Sequence, residues 1–132
     1  MFQKEVADRI ISRPNSKNYG RLTVISNWRL NIKKICNINP TSFFPKPKID
    51  STLLFFEPKK NFFKLKNPKN LEKITRIFFM HRRKMIKKPY NQIFNGDLNI
   101  AHRLGIQLNQ RPQNLNLDTY FKLANEYEKL IG

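Results

Sequence analysis

Residues 49–70 read IDSTLLFFEPKKNFFKLKNPKN, and the change of character at Pro58 decides the fold. From Ile49 to Phe56 the run becomes apolar at consecutive positions, the pattern of a strand covered on both faces. Past Pro58 it turns to lysine, asparagine and phenylalanine, which predicts a basic linker over residues 59–70 into a second, helical unit. On the N-terminal side, Gln3–Ser12 predicts a strand end entering a short helix, and Arg13-Pro-Asn-Ser-Lys a turn. Tyr19–Leu30 predicts a helix through Leu22, Val24, Ile25 and Trp28. Ile32, Cys36 and Ile38, spaced two or four apart, predict the inward side of a strand.

On the C-terminal side, residues 71–88 form one amphipathic wheel. Leu71, Ile74, Phe78, Met85 and Ile86 gather on one side, and Lys73, Arg76, Arg83, Lys84 and Lys87 on the other. His81 and Arg82 fall near the apolar side and read as packing or bridging residues. Asp97 predicts the cap of a short helix that ends at Gly105, a C′ glycine. Asn116 predicts the cap of a last helix carrying Leu117, Tyr120, Phe121, Ala124, Tyr127 and Ile131 at three- and four-residue steps, with Arg111 bracing it. Strands and helices first, helices alone afterwards: the order predicts an α+β fragment followed by a small all-α domain.

The charge follows the same boundary. The chain of 132 residues carries 26 Lys and Arg against 9 Asp and Glu, a net +17. Residues 1–58 hold ten basic and four acidic side chains, residues 59–90 twelve and one, and the last 42 residues four of each. A patch of this density predicts a polyanionic partner. Its bland alternative is a solvated helix face, which a nearly unbroken positive run fits less well. Cys36 is the single cysteine, so no internal disulfide forms, and it reads as a small buried hydrophobe in a reducing cytoplasm. No apolar run approaches the length of a membrane span. His81 and His102 have no cysteine or carboxylate at ligand spacing, which predicts no metal. Glu5 and Asp8, among basic residues, read as ion-pair partners.

Residues 42–51, SFFPKPKIDS, set an aromatic pair on a cationic loop stiffened by Pro45 and Pro47. From composition alone, Phe43 and Phe44 read as rings that plug the edge of the sheet. A flat apolar ring on a rigid basic loop is also what an extruded nucleobase requires, with stacking worth roughly 1–3 kcal/mol per base.

The blocks QKEVADRI, SKNYGRLTV, SFFPKPKIDS, FFMHRRKMI and RPQNL occur in the order and at the approximate spacing of one family. The chain resembles the C-terminal portion of the small-subunit rRNA adenine N6-dimethyltransferases, called KsgA or RsmA in bacteria. The resemblance implies that residues 1–58 are the end of a Rossmann-like methyltransferase domain and residues 59–132 a helical rRNA-docking domain. It implies a parent enzyme that uses S-adenosylmethionine to dimethylate two adjacent adenines in the 3′-terminal hairpin of 16S rRNA, in the cytoplasm, on the small subunit or its 30S precursor.

By the same resemblance Phe43 would stack on the target base. Pro45, Pro47, Lys48 and Ser51 would support the loop. RNA contacts would fall to Lys46, Lys73, Arg76, Arg83, Lys84 and Lys87. Neither the Gly-rich cofactor loop nor the Asn-Leu-Pro-Tyr-type catalytic segment of the family occurs in this chain. No catalytic or cofactor-binding residue is therefore expected here, and the chain alone should be inactive. A sheet cut at one side also leaves an unpaired edge open to a second copy. Two other readings compete: a non-catalytic RNA-binding or ribosome-assembly module, and the related large-subunit rRNA methyltransferases of the macrolide-resistance type.

Overall fold

The computed structural model describes residues 1–39 and 50–132. A three-stranded antiparallel sheet, in the order β1-β3-β2, is formed by β1 (Phe2–Gln3), β2 (Leu30–Ile38) and β3 (Ser51–Pro58). Helices α1 (Lys4–Ile10) and α2 (Arg21–Arg29) lie between β1 and β2 in the chain. After β3 come only helices: α3 (Pro68–Phe78), α4 (Lys87–Phe94), α5 (Leu98–Leu104) and α6 (Leu117–Ile131), with 3-10 turns at Phe79–His81 and Pro112–Asn114.

Burial on β3 alternates. Thr52 and Leu54 are buried, whereas Leu53 is 37% and Phe55 50% exposed, so the strand is covered on one face and not on both as its composition predicted. The inward face meets Ala7 and Ile10 of α1, with Phe2, Val6, Ile32 and Phe56 packed around them. Register explains a second departure. A bulge at Ile35 sets Lys34 opposite Leu54 but Cys36 opposite Leu53. An extra residue inverts the two-residue alternation beyond it. Cys36 and Ile38 therefore share the outer face, opposite Leu53 and Ser51, and only Ile32 keeps the inward position predicted for all three. Cys36 is exposed, not buried.

The larger core joins α2 to the helices beyond Pro58. Val24 and Trp28 of α2 are buried with Leu71, Ile74 and Phe78 of α3, Tyr90 and Phe94 of α4, and Tyr120, Leu123 and Ala124 of α6. Residues 59–67 are not a free connection: Phe62, Phe63 and Leu65 pack against this core, and the Trp28 indole N–H donates to Phe63 O at 2.6 Å. Lys59 turns inward, donating to Asn27 O at 2.5 Å, and its desolvation lowers its pKa. The predicted caps are present. Asp97 accepts from Asn99 N–H, Asn116 accepts from Thr119 N–H, and Gly105 takes φ +67°, the left-handed conformation that closes a helix.

One carboxylate ties residues 66–70 to the last helix. Glu128 of α6, 4% exposed, accepts from Lys66 N–H (2.9 Å), Asn67 N–H (2.8 Å) and the Asn70 amide (2.8 Å). Burial pushes its pKa up, but the Lys66, Asn70 and Asn67 donors pull harder, and the net value lies below the ordinary one. A carboxyl whose pKa is depressed on folding contributes stability above its unfolded pKa and loses it as pH falls through the folded value. Glu128→Gln should therefore cost about 2 kcal/mol at neutral pH. The difference from the parent should shrink below the ordinary carboxylate range, as read by thermal melts from pH 7 to pH 3. A difference that is constant over that range would remove the carboxylate from the account.

Candidate nucleic-acid interface

The amphipathic wheel of residues 71–88 is not one helix. α3 stops at Phe78, a 3-10 turn follows, and α4 starts at Lys87, with Pro89 tolerated in its first turn because the N–H it lacks has no helical partner there. A helix running through this point would set the Pro89 ring against the carbonyl of Met85. Two contacts hold the break. Ile86 N–H donates to Gln110 O at 2.8 Å, and Lys84 N–H to His81 O at 3.0 Å. Met85, placed on the apolar side by the wheel, is consequently 52% exposed, while Ile86 stays fully buried.

The break gathers the predicted cations onto two adjoining grooves. Lys73 and Arg76 of α3 and Lys84 of the turn line a cleft of about 380 Å³ between α3 and α4. Arg83, Lys84 and Lys87 line a neighbouring, more open groove of about 630 Å³, and Lys84, Met85 and Lys88 form the wall common to both. All five predicted RNA-contact residues of this segment thus sit on one surface, and all five are exposed. Among the described residues no carboxylate lines either groove. Lys73 is partly engaged, donating to the Tyr127 hydroxyl at 2.6 Å with its ammonium 4.9 Å from that ring.

Two members of the surface escaped the sequence reading. Lys88 follows Lys87 directly and could have been read with it. Arg111 had no such signal, being 23 residues from Lys88, and it arrives through the Ile86–Gln110 hydrogen bond. It lines the second groove, and its backbone N–H, donated to the Asn114 amide oxygen at 2.7 Å, braces the turn before α6.

Arg82 belongs to the same His-Arg-Arg-Lys run but points inward, as a bridge. Its guanidinium donates to the carbonyls of Tyr19, Ser16 (3.0 Å) and Lys17 (2.7 Å), locking the loop before α2 onto the helical unit. Tyr19 is fully buried behind it, with its ring edge-on to Phe79 and its hydroxyl pKa raised by desolvation. Gly20 beside it is structural as well: its N–H donates to Thr23 Oγ1 at 3.1 Å, and the Thr23 hydroxyl donates to Arg9 O, joining α2 to α1. Glu5 pairs with Arg9 at 2.9 Å. Asp8 makes no ion pair among the described residues, against its predicted role.

Phe43, Pro45, Lys46, Pro47 and Lys48 lie outside the described residues. The strands on either side do not: Ser51, half-buried, pairs in register with Ile38, and Lys4 N–H donates to Asp50 O at 2.9 Å. Among the described residues no three His, Cys, Asp or Glu side chains gather in a metal-binding arrangement. No helix among them is long and apolar enough to cross a membrane.

A small antiparallel sheet, followed by a helical unit that carries two adjoining, cation-lined grooves, defines the class of structure. The family described as "Ribosomal RNA adenine dimethylase" matches residues 1–129. The chain belongs to that family. It is 67% identical over 132 residues, its whole length, to the "Ribosomal RNA small subunit methyltransferase A" of Pelagibacter ubique, of which it covers 50%. It is 42% identical to the protein so named from Wolbachia sp. subsp. Drosophila simulans, with 99% of this chain and 48% of the relative aligned. The chain thus spans about half the length of these curated relatives.

Among solved structures it resembles a dimethyladenosine transferase from Plasmodium falciparum (TM-score 0.77, 27% identity, 97% of this chain and 55% of that one). The 23S rRNA methyltransferase ErmE shares the fold (TM-score 0.61, 16% identity, 96% of this chain and 52% of that one). The family implies S-adenosylmethionine for the whole enzyme. Gly96 and Gly105 serve left-handed turns at φ +77° and +67°, and with Gly20 and Gly132 they form no phosphate- or nucleoside-cradling loop.

Proposed function

We propose that this chain is the C-terminal half of a small-subunit rRNA adenine N6-dimethyltransferase and supplies its rRNA-docking surface. In this reading residues 1–58 complete a Rossmann-like catalytic domain, and residues 59–132 are the all-α docking domain. α2 is the element that grips both. The observation that carries the reading is the assembly of Lys73, Arg76, Arg83, Lys84 and Lys87 on one surface that no carboxylate lines among the described residues. Such contacts position a protein on RNA through phosphate and contribute little sequence information.

The parent would act on two adjacent adenines of the 3′-terminal hairpin. An N6 amine inside a stacked, paired base is out of reach, so the base must be extruded. Phe43 offers the stacking face for it, Pro45 and Pro47 lower the cost of ordering the loop, and Lys46 and Lys48 reach phosphate. The methyl donor, S-adenosylmethionine, belongs to the half of the relatives' length that this chain does not span. By itself the chain transfers no methyl group.

Binding of the chain to small-subunit rRNA particles across a salt series tests the docking role. Each phosphate contact contributes about 0.7–0.9 to the slope of log K against log salt. A slope of roughly −4 or steeper fits the surface described, and nuclease treatment should abolish the complex. Salt-independent binding would end the proposal. The likeness to the 23S enzyme carries a second reading, large-subunit rRNA as substrate. Preference for naked large-subunit rRNA over small-subunit particles would favour it.

A further inference from the structure

We infer that the cleft between α3 and α4 holds an unpaired nucleobase of the docked RNA, on a floor that includes the exposed methionines Met80 and Met85. The inference rests on the rRNA-docking reading above and goes beyond it, because phosphate contacts alone need only a charged surface. This cleft has more than that. Its floor is apolar, made by Ile77, Phe78 and Pro89 with the two thioether side chains, which are 59% (Met80) and 52% (Met85) exposed. Large apolar side chains left bare and adjacent inside a polar rim mark a binding site more often than chance exposure. Lys73, Arg76, Lys84 and Lys88 supply that rim.

The chemistry of the walls selects the occupant. A ring of cations around an apolar floor suits a ligand with a flat apolar body and an anionic tether, which describes a nucleotide. Thioethers are polarisable and adaptable and contact aromatic rings favourably, so they accept any base. The volume, about 380 Å³, lies in the range of small-molecule sites. A paired stem cannot fill it, because its bases are stacked inside the helix and side chains cannot read its deep major groove. A loop or bulge nucleotide can.

The chain has three methionines, Met1, Met80 and Met85, which makes the test direct. With 13C-methyl methionine the protein gives one probe remote from the cleft and two in it. An RNA hairpin with an unpaired loop is titrated in, and then the same stem as a blunt duplex. The proposal expects upfield ring-current shifts at Met80 and Met85, none at Met1, from the hairpin only. It also expects Met80→Ala/Met85→Ala to weaken hairpin binding about tenfold, equivalent to ~1.4 kcal/mol, with the salt slope and duplex affinity unchanged. Both side chains are exposed, so the variant should keep its melting temperature.

If the hairpin binds with a steep salt slope but moves neither methyl, the base site is wrong and docking through phosphate stands. If neither RNA binds, the docking reading falls as well. If an acidic peptide with an apolar anchor moves the two methyls and the hairpin does not, the cleft is a protein-docking site and the proposal fails.

Discussion

Replacing Arg76, Arg83, Lys84 and Lys87 together by alanine is expected to weaken binding to small-subunit rRNA roughly 100- to 1,000-fold near 0.1 M salt and to flatten the salt slope by about 3. The magnitude follows from counterion release: four lost phosphate contacts remove four increments of 0.7–0.9 from the slope, and hence most of their contribution at low salt. All four side chains are exposed on the two grooves and make no ion pair among the described residues, so folding should be nearly unaffected. Lys73 is left out because its ammonium is shared with Tyr127. The control is Lys122→Ala/Lys129→Ala on α6, whose charges are paired with Asp118 and Glu126 at 2.9 and 3.6 Å. A control that flattens the slope by half as much as the quadruple variant, in proportion to the two charges removed against four, would show that net charge, and not this surface, governs binding.

Arg82→Met should do the reverse, lowering stability and leaving the salt slope intact. It withdraws a charged donor from three carbonyls, each more than sixty residues before it in the chain. Hydrogen bonds to charged groups contribute about 1.5–3 kcal/mol, and stranded buried acceptors add to the loss. Partial exposure of the site holds the expectation to about 3 kcal/mol. For a chain of this size that is a fall of roughly 10 °C in melting temperature. Methionine keeps the aliphatic length, so the loss reports hydrogen bonding more than packing. An unchanged melting temperature with a flattened salt slope would place Arg82 on the RNA surface with Arg83 and Lys84.

The sequence by itself determined the features whose causes act within a turn or two. Asp97, Gly105 and Asn116 mark helix ends because each satisfies backbone groups two to four residues away. The apolar stripe Leu71, Ile74, Phe78 is legible for the same reason, and the inward bridging of Arg82 was visible from its place beside it. Five motif blocks in order carry the family resemblance, and the basic patch lies in the density of charge along the chain.

Tertiary structure decided what depends on partners distant in the chain. A one-residue bulge at Ile35 turned Cys36 to the outer face, since side-chain parity past it is set by pairing with β3 and not by composition. The wheel over residues 71–88 failed beyond Phe78 because contacts with residues 16–19 and 110 outweigh the gain from continuing the helix. That same failure exposed Met85, brought Arg111 beside Lys87 and opened the cleft between α3 and α4. Helical periodicity predicts which residues share a face only while the helix lasts, and where it stops is fixed by packing between segments that sequence patterns do not connect.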